Sequence, residues 1–159
     1  MLGIDPGLVG TGWGVVDATA GRVTVVATGV ITTAVETPLE GRVQQIYEGV
    51  LDVLAKHGPS LLVLEDLYTE YKFPRTALLM AHARGVICLA AGQHAVPVLA
   101  LAPAEVKRAI AAHGAASKAQ IQAGVQHRLG LAAPPRSSHV ADALALALTG
   151  LSRRGSRSA

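Results

Sequence analysis

Cysteine is nearly absent. Cys88 is the only one in 159 residues, so no intrachain disulfide can form and no Cys/His pairing stands at zinc-ligand spacing. A reducing, cytoplasmic setting is the expectation that follows. No apolar run reaches the ~18 residues of a membrane-spanning helix, and the chain enters a strand-like segment at once, without the charged region and cleavage site of a signal peptide. It is therefore expected to be soluble and unprocessed. Aromatics are scarce as well, one tryptophan, three tyrosines and one phenylalanine, yet Tyr68, Tyr71 and Phe73 fall in one short segment.

What is plentiful is aliphatic. Half of the residues are hydrophobic, enough for a single core in a single domain, expected over residues 1–151. The formal net charge of +3 and sequence pI of about 9.4 permit a polyanionic partner without demonstrating one. Residues 152–159 carry Arg153, Arg154 and Arg157 among small polar residues. They cannot offer a core face and read as a basic, disordered tail.

Leu2–Asp5, Thr11–Asp17 and Arg22–Thr32 are β-prone stretches separated by glycine-rich connections, which predicts three consecutive antiparallel strands. Thr37-Pro38-Leu39-Glu40 then supplies an N-cap, a first-turn proline and the glutamate of a capping box. Leu39, Val43, Ile46, Tyr47, Val50, Leu51 and Leu54 continue as a helical stripe that Gly58-Pro59 stops. Leu61 to Leu64 is a short apolar run leading into Glu65, as expected of a strand buried on both faces. A helix from Thr76 to Gln93, a strand from Val96 to Leu101, helices from Pro103 and from Ser117, and a last helix from His139 to Leu151 complete the order. Three antiparallel strands followed by alternating α and β units give an α/β protein of the ribonuclease H-like fold, a mixed five-stranded sheet flanked by helices. Many activities share that fold, so the chemistry must come from particular side chains.

Asp5 ends the first strand in Asp5-Pro6-Gly7, and Gly7, Gly10, Gly12 and Gly14 allow a close approach of backbone to something else. Alone, Asp5 could be no more than the cap of its own turn. In this topology, however, the fourth strand lies beside the first, which brings Glu65 to the same end of the sheet. Asp66 points to the opposite face and is expected to serve the loop. His139 and Asp142, three apart, share one side of the last helix near its start. Asp5, Glu65, Asp142 and His139 together make an oxygen-rich set with one imidazole, suited to Mg²⁺ or Mn²⁺ and not to structural zinc. Two ions about 4 Å apart would activate a water on one side of a phosphodiester and stabilise the leaving 3′ oxygen on the other. The products would carry 5′-phosphate and 3′-hydroxyl ends.

Leu2-Gly3-Ile4-Asp5-Pro6-Gly7 with Thr11-Gly12-Trp13-Gly14-Val15-Val16 resembles the opening of the RuvC resolvases, and Leu64-Glu65-Asp66-Leu67-Tyr68 resembles their second acidic motif. Ala83-Arg84-Gly85-Val86, Val106-Lys107-Arg108, Ser117-Lys118-Ala119-Gln120-Ile121-Gln122 and Ala141-Asp142-Ala143-Leu144-Ala145-Leu146-Ala147 resemble later blocks of that family in order and spacing. The resemblance implies a Mg²⁺-dependent endonuclease that resolves four-way Holliday junctions, with Asp5, Glu65 and Asp142 as catalytic metal ligands. His139 stands where many members carry aspartate. A neutral imidazole can still ligate the metal or help in proton transfer, with one negative charge fewer.

The resemblance also places Tyr68 at the junction centre as a stacking residue, and Lys107 and Lys118 on phosphates. Lys72 and Arg75 beside the aromatic segment would add cations to a base-stacking surface. Lys118 near a helix start adds to an anion site. His82, His94, His113 and His127 are expected on the surface. A junction with near two-fold symmetry needs two matched cuts, so a homodimer is expected, with the helix bearing Leu78, Leu79, Met80 and Val86 as its interface. The RuvA and RuvB branch-migration proteins are the partners that the resemblance implies. An actin-like ATPase needs a second domain for which 159 residues leave no room. A junction-binding module without activity would not need the acidic set, and a nuclease of the same fold acting on other nucleic acids would not need the aromatic segment.

Overall fold

The computed structural model of the chain describes residues 1–67 and 74–155. Strands β1 (Leu2–Asp5), β2 (Gly10–Thr19) and β3 (Arg22–Thr32) open it, followed by α1 (Leu39–His57), β4 (Leu62–Glu65), α2 (Pro74–Gln93) and β5 (Val98–Leu101). Helices α3 (Pro103–Ala111), α4 (Lys118–Leu129) and α5 (Ser138–Gly155) complete the described chain. The five strands form one sheet in the order β3-β2-β1-β4-β5. The first three pair antiparallel, whereas β1–β4 and β4–β5 are parallel. This is the mixed five-stranded sheet flanked by helices that the order of elements predicts.

Local chemistry explains most boundaries. Ala20 and Gly21, both at positive φ, turn β2 into β3 in the left-handed geometry that a two-residue hairpin needs. Helix α4 begins with a complete capping box, the Ser117 hydroxyl accepting from Gln120 N–H and the Gln120 side-chain Oε1 accepting from Ser117 N–H at 2.8 Å. Helix α1 corrects the expected cap. Pro38, not Thr37, occupies the cap position and no side chain caps it. Proline disfavours helical backbone in the residue before it, and Thr37 instead closes a turn, its N–H donating to the Ala34 carbonyl. Strand β5 starts at Val98 because Val96 N–H is bonded back to Ala91 at the end of α2.

The pleat divides the sheet between two layers. Leu2, Ile4, Leu62 and Leu64 pack against Ile46 and Val50 of α1 and Ile87 of α2, whereas Val63 faces the opposite core with α3, α4 and α5. Helix α5 is buried along Ala143–Gly150, sandwiched between the sheet and α3 and α4. It also runs longer than expected. The helix continues through Arg153 and Arg154 to Gly155, so 152–155 are not a disordered tail. Arg153 pairs with Glu105 of α3 at 3.5 Å and Arg154 donates to the Ser60 hydroxyl, which holds this last turn to the body. Among the described residues no helix is long and apolar enough to cross a membrane.

Candidate active site

The register of β1 on β4, in which Ile4 pairs with Leu64, carries Asp5 and Glu65 to the same end of adjacent parallel strands. Alternation then aims both at the α5 side of the sheet, since their neighbours Ile4 and Leu64 face α1 and α2. Helix α5 arrives there by an unusually close approach to the strands. A Cβ on Gly12 would lie 2.2 Å from the carbonyl oxygen of His139, so only a hydrogen fits. The bare backbone noted in the sequence thus receives the first turn of α5. That contact delivers His139 and Asp142, and Nδ1 of His139 donates to Oδ2 of Asp5 at 2.8 Å.

The carboxylates also interact electrostatically. Burial raises the Asp5 carboxyl to about 6, partly offset by the hydrogen bond from His139, and Asp142 raises it further. Burial raises Glu65 to about 7, with Asp5 and Asp142 adding to the rise. Asp142 is also raised by burial, against the attraction of Lys118, His139 and Lys107. Burial is thus the main reason that all three hold protons more tightly than free carboxylates, and repulsion adds to it at Asp5 and Glu65.

Lys107 of α3 and Lys118 of α4 stand on the rim of a cleft that Glu65 and Asp142 also line, above Val106, Ile121 and Leu146. An adjoining groove runs past Asp5, Gly7, His139 and Asp142 to Leu79 and Met80 of α2. The two lysines are thus brought to the carboxylates from separate helices. Arg75 lies exposed in the first turn of α2. Tyr68 and Lys72 lie outside the described residues, as do Tyr71 and Phe73. His82, His94, His113 and His127 are exposed, as expected.

The donor chemistry fits a hard divalent cation: three carboxylates under mutual repulsion, the condition that bound positive charge relieves. They are not a closed cage. Among the described residues no three His, Cys, Asp or Glu side chains surround a common ion position. His139 already engages Asp5 through Nδ1.

One contributor was not assigned from the sequence, and a second was noted there only as bare backbone. Arg84 donates from Nε to the Glu65 carbonyl at 3.4 Å and reaches Asp66 at 3.6 Å, while Asp66 also accepts from Leu67 N–H, so the end of β4 is tied to α2. Gly12 acts by having no side chain. The partner of each leaves no spacing signal, because it depends on which elements become neighbours.

A family model described as Crossover junction endodeoxyribonuclease RuvC matches residues 1–150. The chain is similar to crossover junction endodeoxyribonuclease RuvC of Rhodopirellula baltica, 43% identical over 150 residues, which spans 94% of this chain and 84% of that protein. The Gloeobacter violaceus protein of the same description is 41% identical over 151 residues, 94% of this chain and 86% of that one. Among solved structures, RuvC of Thermus thermophilus matches with a TM-score of 0.87 at 37% identity, over 98% of this chain and 97% of that chain. RuvC of the same organism in complex with a Holliday junction substrate matches with a TM-score of 0.88 at 38% identity, over 97% and 94%. The yeast mitochondrial Holliday junction resolvase Ydc2, at 14% identity and a TM-score of 0.64 over 93% of this chain and 75% of that chain, shares the fold.

Proposed function

The chain belongs to the RuvC family of crossover junction endodeoxyribonucleases, and from that premise we propose how its own residues resolve a Holliday junction: by matched nicks, one at each site where Asp5, Glu65 and Asp142 meet. It is a nuclease of DNA recombination and repair that binds four-way junction DNA. What supports the mechanism is that β1, β4 and α5 carry Asp5, Glu65 and Asp142 to two adjoining clefts, with Asp142 lining both.

Asp5, Glu65 and Asp142 would hold the metal, Mg²⁺ with Mn²⁺ able to substitute, two ions per site. When bound, such ions supply charge neutralisation at the phosphate and an activated water at neutral pH. The protein's part is placement. Lys107 and Lys118 attract the backbone of the strand to be cut and seat its phosphate over the carboxylates. His139, oriented by Asp5 through Nδ1, is the fourth catalytic group, either as a further ligand or as the group that moves a proton. Breaking the bond to the 3′ oxygen leaves 5′-phosphate and 3′-hydroxyl ends. Tyr68, with Lys72 and Arg75 beside it, stacks on bases opened at the crossover.

Paired cutting calls for a homodimer through α2, where Leu78 is 64% and Leu89 53% exposed. We place the protein in the cytoplasm, in cooperation with the RuvA–RuvB branch-migration complex. The test is incubation with a mobile synthetic four-way junction and a matched duplex in Mg²⁺ or Mn²⁺. Paired nicks in the junction alone are expected, and none from an Asp5→Asn variant that still binds. Equal cutting of the duplex would replace the resolvase reading with that of a general nuclease.

A further inference from the structure

Arg42 of α1 is buried, only 8% exposed, and no carboxylate pairs with it among the described residues. Burying a guanidinium without a counter-charge is costly, so its contacts must be worth holding. Its Nε donates to the Thr33 hydroxyl at 2.8 Å, and that hydroxyl donates in turn to the Leu8 carbonyl. Thr33 N–H donates to the neighbouring Val9 carbonyl at 3.0 Å. One end of this relay is a helix; the other is the loop that follows Asp5.

The loop of residues 6–9 is closed from inside as well. The Thr11 hydroxyl donates to the Gly7 carbonyl at 2.8 Å. Its far end touches the site again, because a Cβ on Gly10 would meet the His139 ring at 3.3 Å. The loop therefore leaves Asp5 at one end and abuts His139 at the other, while Thr33 grips its middle from the α1 side of the sheet.

We propose that Arg42 is a positioning residue for the nuclease reaction. Through the Thr33 hydroxyl and the Leu8 carbonyl it fixes the 6–9 loop, and with it the placement of Asp5 against His139. It acts mechanically. Arg42 is not among the charges that shift the Asp5 carboxyl, so its effect on the site runs through hydrogen bonds and backbone. This inference rests on the nuclease reading of the Asp5 site.

The test compares Arg42→Met, Thr33→Val and the double variant with Thr33→Ser, which keeps the hydroxyl. The readouts are single-turnover junction cleavage, junction affinity without divalent metal, and amide exchange of the 6–10 segment. Expected is a roughly tenfold fall in the cleavage rate for Arg42→Met and Thr33→Val, with junction affinity unchanged. Their double variant should be no slower than either alone, and Thr33→Ser should cleave near the original rate. Exchange in 6–10 should rise in the impaired variants while the sheet stays protected. Multiplicative losses in the double variant, a loss confined to junction affinity, or unchanged exchange in 6–10 would overturn the proposal. Should Arg42→Met fail to fold, Thr33→Val against Thr33→Ser decides alone. Should the unaltered chain cut no junction, the nuclease reading falls, and amide exchange still decides the tether.

Discussion

Gly12 of β2 and His139 of α5 touch backbone to backbone: a Cβ on Gly12 would fall 2.2 Å from the His139 carbonyl oxygen and 2.7 Å from its Cβ. Gly3 of β1 repeats the arrangement one strand away, where a Cβ would lie 2.0 Å from the Ala143 carbonyl oxygen. Two glycines on neighbouring strands thus set the height of α5 above the sheet. That height decides where Asp142, one turn along from His139, meets Asp5 and Glu65.

Gly12→Ala should therefore act on catalysis more than on folding. The methyl must lift the first turn of α5, since a backbone carbonyl cannot rotate away as a flexible side chain could. Overpacking of this kind costs about 1–3 kcal/mol, whereas displacing catalytic groups by about 1 Å costs on the order of a hundredfold in rate. Single-turnover cleavage and thermal unfolding, measured on one preparation, separate the two. A variant that unfolds earlier yet cuts at the original rate would show that the close contact does not position the site.

The acidic cluster makes stability depend on pH in a direction opposite to that of ordinary salt-bridged carboxylates. Asp5 and Glu65 rise from 3.8 and 4.5 to about 6 and about 7 on folding, so the folded chain binds their protons more tightly than the unfolded chain. Their stabilising protonation is complete below about pH 4 and is lost as pH climbs through 6 to 7. Without divalent metal the melting temperature should fall between about pH 4 and pH 7, and Glu65→Gln should flatten that fall. Millimolar Mg²⁺ should restore stability at the alkaline end and do little at the acid end, where protons occupy the oxygens. Cleavage should decline on acidification through the same window. A melting temperature that rises from about pH 4 to pH 7 without metal would contradict the placement of these carboxylates.

Leu78 and Leu89 are 64% and 53% exposed on one helix. Eleven residues apart, they fall on one side of α2, and Gly85 between them has nothing within 4 Å of a built Cβ, which leaves the surface low enough for a second helix. Leu78→Glu should give monomers by analytical ultracentrifugation at micromolar concentration and replace paired cuts by single nicks. A monomeric unaltered chain that still cuts in pairs would remove α2 as the interface.

Much of this was legible in the sequence, and what was not has a physical reason. Strand and helix order followed from periodicity, the Ser117 capping box from local chemistry, and the meeting of Asp5 with Glu65 from strand order. Thr37 misled because a proline rule and a capping rule competed at adjacent positions, and the chain obeyed the proline. Arg153 and Arg154 read as tail because nothing local shows that Glu105 and Ser60 wait beside the last turn of α5. Gly12 announced a close approach without naming the approaching element, and Gly3 was not singled out at all. Arg42 carried no signal, and Arg84 lay in a segment resembling the family without a role of its own, since a cation in a helix looks solvated until its neighbours are known.

Lys118 tests whether the rim lysines serve the carboxylates as well as the DNA. It is the largest attraction opposing the burial of Asp142, and it also lowers Asp5. Removing it in Lys118→Met should raise both groups further, so the acid limb of the cleavage profile should move to higher pH and part of the loss should be recovered on going alkaline. A lysine that only contacts phosphate behaves differently: its loss weakens binding at every pH and reduces the slope of log affinity against log salt by about one. Lys118 attracts the carboxylates and, on the proposed reading, the strand as well, so both signatures are expected together. Lys107, whose attraction falls on Glu65 and Asp142 and not on Asp5, should shift the profile through those two groups. A Lys118→Met profile that drops uniformly without moving along the pH axis would confine this residue to holding the strand.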